Sequence, residues 1–223
     1  MPAGKITAIA AQAHDAQRVN IFIDGEFAIG ISLATLAAER LHVGLALDDE
    51  GWARLEAAGQ AEKAMSAAMR LLDARPRTAA ELRQRLRRKE FPPEVADAAI
   101  ARLAELGLVD DAAFSRYLIE NRQTFRPRGQ LAIRDELRRK GVERGVIDAA
   151  LDEAAAEADP EAEAERAMAV ARGAARRYAD APDRASFQRR LGGFLQRRGF
   201  TLDTIRPILD ILWKEQRTTT RDE

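Results

Sequence analysis

Leu82-Arg-Gln-Arg-Leu86-Arg-Arg-Lys89-Glu-Phe91 has two later counterparts, Ile133-Arg-Asp-Glu-Leu137-Arg-Arg-Lys140-Gly-Val142 and Leu191-Gly-Gly-Phe-Leu195-Gln-Arg-Arg198-Gly-Phe200. In each, two apolar residues four apart share one face of a helix. A basic residue follows three positions later, and an apolar residue two beyond that closes the turn. The copies lie 51 and 58 residues apart, a spacing that suits a three-helix unit. Recurrence at such a period predicts units that stack and share a core, not walls around one catalytic pocket. Surfaces of that kind bind elongated partners, so the pattern predicts a binder with no catalytic residues.

Working outward, the pattern is helical from Asp48 onward. Asp48 caps a first helix, and Trp52, Leu55, Met65, Met69 and Leu72 mark one long helix or two joined near Gly59. Pro76 stops it, and Thr78 with Glu81 forms a capping box for the first copy. Pro92-Pro93 and Asp110 or Asp111 begin the next two helices, and Gly107 separates them. Each unit reads as long helix, basic helix, short helix. The expected boundaries are 48–109, 110–158 and 159–213, with a polar, fraying tail over 214–223. Residues before 48 differ. Arg18–Ile23 and Glu26–Ile31 alternate around Asp24-Gly25, a type I′ hairpin signal, and Ile6–Ala13 precedes them across a polar turn holding His14. A three-stranded antiparallel meander and a short helix, capped by Ser32 and ended by Gly44, should fill 1–47. The fold class is mainly α, with a small N-terminal antiparallel β-sheet. Because the repeat core lies downstream, the helices should fold without residues 6–31.

Composition agrees. Of 223 residues only 12 are aromatic, and Ala, Arg, Leu and Glu favour helix. The absence of Cys excludes disulfides and thiolate zinc sites and fits a reducing cytosol. No apolar run approaches the ~18 residues that span a bilayer, and the N-terminus lacks the apolar core of a signal peptide, so a cytoplasmic protein without a membrane partner is expected. The zero formal net charge hides patterning. Arg75–Lys89 holds seven bases against one acid, Arg122–Arg144 eight against three, and Arg166–Arg198 nine against two. Asp148–Glu165 holds eight acids and no base. Helix macrodipoles and solvated ion pairs account for such a pattern. So do basic faces that meet an acidic protein groove or a phosphate backbone.

No catalytic, metal or cofactor site is expected. His14 and His42 lack a second ligand at metal spacing, and no nucleotide-binding glycine loop occurs. Gly192-Gly193 reads as a place of close helix packing. Binding residues follow from helix geometry. With Leu82 and Leu86 buried, Arg83 and Arg87 flank the face and Arg88 points outward. Arg134, Arg138 and Arg139 repeat that placement, and Arg197 alone keeps the outer position in the third copy. Lys89, Lys140 and Arg198 belong to the core edge, where snorkelling and the helix dipole explain them.

Leu106-Gly-Leu-Val-Asp-Asp-Ala-Ala-Phe-Ser-Arg-Tyr117, Gly129, Ile133-x-x-Glu-Leu-x-x-Lys-Gly141 and Arg77-Thr-x-x-Glu-Leu82 together resemble the RecX family of bacterial recombination regulators. Arg18–Ala28 is similar to the β-hairpin extension of its longer members. The third copy departs most, with Gly192 and Gln196 at basic positions. The resemblance implies a curved array of three-helix repeats without a catalytic site. It implies a monomer that binds the RecA recombinase on single-stranded DNA and suppresses filament growth, ATP hydrolysis and strand exchange. The competing reading is a helical-repeat protein that binds single- or double-stranded DNA without a RecA partner. An unrecognised enzyme is the third.

Overall fold

The computed structural model describes residues 4–13 and 15–219, with side chains through Gln216. His14 and residues 220–223 lie outside the described residues. Four strands, β1 (Gly4–Gln12), β2 (Asp15–Ile23), β3 (Glu26–Ser32) and β4 (Ala46–Leu47), form an antiparallel sheet in the order β3-β2-β1-β4. The hairpin at Asp24-Gly25 takes the positive φ values that its sequence predicts. The fourth strand is not foreseen by the pattern, because two residues carry no alternation to read. The helix that follows the meander, α1 (Leu33–Ala38), is capped by Ser32 as predicted. It ends at Ala38 with Arg40 in the left-handed region, well before Gly44.

The chain divides into two compact units. One holds the sheet, α1, α2 (Asp49–Ala74), α4 (Pro93–Glu105) and α3 (Ala79–Arg87) from Glu81 onward. The other holds Thr78–Ala80 and everything described from Asp110.

In the first unit α2 is a single helix through Gly59. A Cβ there would stand 2.6 Å from Ile29 Cδ1. The glycine brings the helix down onto β3 and does not break it. Ile6, Ile21, Ile23, Ile31 and Leu55 form the buried cluster between sheet and helix. Glu62, one turn beyond Gly59 on α2, fastens the same contact. Its carboxylate accepts from the Ser32 amide at 2.9 Å, from the Ser32 and Thr35 hydroxyls, and from Arg18 at 3.3 Å. Burial raises its pKa, but these donors outweigh burial and hold the carboxyl below its ordinary value. The sheet therefore shares α2 with the first repeat, and that repeat is packed against residues 6–31. Leu82 and Leu86 are fully buried, and α2 packs on α4.

The second unit contains two three-helix modules, α5 (Asp111–Thr124), α6 (Gln130–Arg139) and α7 (Arg144–Glu157), then α8 (Ala162–Ala175), α9 (Arg184–Arg197) and α10 (Leu202–Thr219). The helix with the recurring Leu pair is the middle member each time. The third helix is not the short one expected, since α10 has 18 residues and continues past Lys214. Nor do the modules share one core. Phe114, Leu118, Ile133, Leu137, Ile147 and Leu151 make one cluster. Phe187, Leu191, Leu195, Phe200, Ile205 and Leu212 make another.

What joins them is main chain. The Gly129 and Leu131 amides, at the start of α6, donate to the Arg198 and Gly199 carbonyls at the end of α9, at 2.9 and 3.2 Å. The Gln130 amide donates to Glu163 at the start of α8, at 3.1 Å. The same device recurs at Thr78–Ala80. The Thr78 hydroxyl donates to the Lys140 carbonyl at 2.6 Å, and the Ala79 amide to Asp111 Oδ1 at 2.9 Å. Orphan donors of one helix start thus satisfy orphan acceptors of another helix end. The choice between Asp110 and Asp111 resolves here. Asp110 caps its own helix, accepting from Ala112 and Ala113, and Asp111 caps α3.

Gly141 and Gly199 make the interlock possible. Both have left-handed φ, 79° and 87°, and a Cβ on either would collide with the incoming chain, at Ala80 or at Ala132. Gly107 has a similar φ of 70° with open space around it. Gly107→Ala should cost only the left-handed backbone preference, about 1–2 kcal/mol. Gly199→Ala should add a collision worth about 1–3 kcal/mol more. Denaturant unfolding of the two variants measures the difference, and equal losses would mean that the contact at Ala132 is slack. Leu137→Ala, at a fully buried site, should lose about 2–5 kcal/mol in the same assay.

Candidate partner-binding surface

The middle helices present their arginines in two ways. Arg83 Nε lies 2.5 Å from Asp97 Oδ1 on α4, with both side chains about half exposed. Arg134 stands at the equivalent place and reaches Asp148 on α7 at 3.3 Å. Arg138 pairs with Asp135 at 3.2 Å. In the third module the pair is gone, because Gly192 and Arg206 occupy the corresponding positions. Arg134, Arg138 and Arg144 line a cleft of about 520 Å³ together with Asp135, Asp148 and Asp152. Three cations facing three carboxylates cancel, which leaves little net attraction for an anion.

The other four predicted residues differ. Arg87, Arg88, Arg139 and Arg197 are exposed and have no carboxylate partner among the described residues. All four stand in or just past the last turn of a middle helix. There the helix dipole favours a cation, so the positions are stable without a partner and their charge remains open to one. Lys140 and Arg198 behave as expected of core-edge residues, lying over the Phe114 and Phe194 rings at 5.4 and 5.2 Å. Helix geometry thus brings out the seven arginines, but only the tertiary contacts separate the paired from the open ones. Asp97 and Asp148, the decisive partners, are one acid each on a different helix, and nothing in their local sequence marks them.

One ionic cluster in this region is not legible in the sequence pattern. Glu136, on α6, is held by Arg122 through two bonds, Nε at 3.0 Å and Nη2 at 2.6 Å, and by Arg128 at 3.2 Å. The fork from Arg122 first, then the nearby charges of Arg122, Arg128 and Lys140, keep this carboxyl below its ordinary range against the opposing effect of burial. An acid beside Asp135 inside a basic stretch is its only signal. The cluster fixes the turn before α6, and so sets where the Gly129 amide points. His42 is exposed, with Nδ1 3.1 Å from the Val43 carbonyl oxygen. Among the described residues no group of His, Cys, Asp and Glu is placed to hold a metal, and no helix is long and apolar enough to cross a membrane.

Four family models match the chain in order. They are the Regulatory protein RecX N-terminal domain over residues 4–48 and the RecX first, second and third three-helix domains over 64–103, 110–151 and 161–209. The regulatory protein RecX of Mycobacterium avium is 40% identical over 140 residues, covering 63% of this chain and 79% of that protein. The protein of the same name from Levilactobacillus brevis is 33% identical over 207 residues, covering 93% of this chain and 76% of its own length. A crystal structure of a regulatory protein RecX superposes with a TM-score of 0.78 at 29% identity, over 93% of this chain and 99% of that one. RecX from Lactobacillus salivarius shares the fold at a TM-score of 0.60 and 23% identity, over 69% of this chain and 96% of that one.

The Glu136 cluster has a pH signature. A carboxyl whose folded pKa is depressed contributes stability that is whole above the ordinary carboxylate value and is lost as pH falls through the folded one. Stability should therefore decline below about pH 4.3. In Glu136→Gln that part of the decline should be absent, with a loss of about 1–3 kcal/mol at neutral pH. Urea unfolding of both proteins between neutral and acid pH measures this. A variant whose acid decline matches the parent would exclude Glu136 as a contributor.

Proposed function

The chain belongs to the RecX family of regulatory proteins, and on that premise we propose that it binds the RecA–single-stranded DNA filament and restrains its growth, ATP hydrolysis and strand exchange. The observation that carries the reading is the ordered match of all four family modules along one chain. The surface supports it. Open cations recur at the C-terminal ends of the middle helices, where they can meet an acidic groove or DNA phosphates on a repeating filament. Regulation of this kind is binding to a polymer and needs no reaction at the regulator. The action belongs to the bacterial cytoplasm, alongside DNA repair and the SOS response, and the working form is a monomer.

Arg87, Arg88, Arg139 and Arg197 are the residues proposed to make the contact. Arg83, Arg134 and Arg138 support it from behind, since their charge is matched by Asp97, Asp148 and Asp135. The alternative, a DNA-binding protein with no recombinase partner, separates by salt. Binding through several phosphates weakens steeply as salt rises, by a power set by the number of contacts.

The test is strand exchange and filament pull-down with RecA from the same organism. The parent should inhibit exchange. Replacing Arg87, Arg88, Arg139 and Arg197 by Glu should leave the circular dichroism unchanged, because exposed positions tolerate substitution. It should weaken filament binding by about 1 kcal/mol or less per charge, hence by roughly tenfold to a few hundredfold in total. Single changes should show little. Inhibition by the fourfold variant at parent concentration would remove these arginines from the contact. Failure of the parent to bind RecA would leave the DNA-binding alternative.

A further inference from the structure

We propose that a cleft in the first compact unit, built by α2, β2 and the end of α3, binds the phosphodiester backbone of a single-stranded nucleic acid. Lys63, Ser66 and Arg70 line one wall at the i, i+3 and i+7 spacing of a single helix face. Lys89 and Phe91, just past the end of α3, line the other, and the opening measures about 790 Å³. Arg18 also faces it but is already engaged, donating to the Gly30 carbonyl at 2.9 Å and pairing with Glu62. Lys63, Arg70 and Lys89 have no carboxylate partner among the described residues. The one acid in the lining, Asp15, accepts from the Gln17 amide. The cleft therefore carries a clear excess of positive charge.

Comparison with the second module shows what is unusual. Buried Ser115, Leu118 and Ile119 of α5 stand 51 residues after buried Ala64, Ala67 and Ala68 of α2. On that register Phe114, whose ring receives Lys140, corresponds to Lys63, and Lys140 corresponds to Lys89. The place of a cation–aromatic contact is thus taken by two cations lining one cleft. Like charges so placed repel unless an anion lies between them. The socket differs as well. The residue equivalent to Gly141 is Glu90, which holds a left-handed φ of 64°. Gly141 admits the incoming Ala80, whereas Glu90 is exposed. Lys89 and Phe91 are left to face the cleft.

The chemistry favours a strand over a small anion. Lys63 and Arg70 are two helical turns apart, about 10 Å along α2 and roughly three steps of a nucleic acid strand. Phe91 is half-buried at the edge, where a base can stack on its free face while the cations hold the phosphates. The exposed ammonium and guanidinium groups suit exchangeable phosphate contacts of no sequence preference.

The test uses the full chain and a fluorescein-labelled oligothymidylate, followed by anisotropy across a salt series with no recombinase present. Its outcome is therefore independent of the filament reading. The parent should bind, with log K falling linearly in log salt. The double variant K63Q/R70Q should keep its circular dichroism, bind about tenfold more weakly at low salt, and show a slope shallower by about 1.4, at ~0.7 for each phosphate no longer neutralised. Lys89→Gln, on a different element, should reduce the slope by about 0.7 on its own. An Arg102→Gln, Arg184→Gln protein, altered at exposed arginines that pair with Glu105 and Asp210 outside the cleft, serves as control and should keep both affinity and slope. Parent and double variant with the same affinity and slope would overturn the proposal. So would a control that weakens as much as the double variant, a parent that does not bind the oligonucleotide, or displacement of the strand by polyglutamate at equal charge concentration.

Discussion

The ends of helices cannot satisfy their own backbone, and this protein resolves that constraint between neighbouring modules. The amides that begin α6 would be orphaned, as would the carbonyls that end α9. Each set caps the other, with Glu163 taking the donor left over. Facing a helix start to a helix end also brings opposite dipole ends together. The arrangement demands backbone-to-backbone approach, and that explains glycine at positions 129, 141 and 199 more directly than turn propensity alone. Thr78 fits the same logic, since its buried hydroxyl does for Lys140 what the Gly129 amide does for Arg198. Because the modules keep separate apolar clusters, this polar seam sets their register.

The charge pattern divides along the same lines. Acids at helix starts, such as Asp111 and Glu163, are consumed by the seam. Glu136 and Glu62 are consumed by holding a turn and a sheet. Paired arginines on the flanks of the middle helices tie α3 to α4 and α6 to α7 through Asp97 and Asp148. What remains open is a smaller set than composition suggests, and it includes the cations at the last turns of the middle helices and in the cleft beside α2. Helix dipoles and ion pairs thus account for the cations that have partners, and the proposed contacts rest on others. Dipole and ion pairing explain most of the alternation, and the residue of unpaired cations is where a partner can act.

Much of this was legible in the chain. Leu pairs four apart marked the middle helices because burial imposes a helical period that side chains cannot hide. Asp24-Gly25 marked the hairpin because only a few residues accept its backbone. The failures have equally specific causes. Gly59 left one helix or two open, and the structure has one because the glycine serves close packing on Ile29, propensity being a weak term against tertiary contact. The strand Ala46–Leu47 is too short to carry a period. The shared core expected of stacked repeats is replaced by bonds to main-chain groups, which follow no apolar period and leave glycine as their clearest trace. Lys63 looks like any solvated lysine until the register with Phe114 is drawn.

Amide hydrogen exchange at the helix starts tests the seam most directly. First-turn amides ordinarily exchange fast, because they have no intrahelical acceptor. If Arg198, Gly199 and Glu163 accept as described, the amides of Gly129, Gln130 and Leu131 should be protected to the level of the α6 interior. In Gly199→Ala that protection should fall while the α6 interior keeps its own. Rapid exchange of all three amides in the parent protein, at the rate of an exposed loop, would contradict the interlock and leave the modules joined by side chains alone.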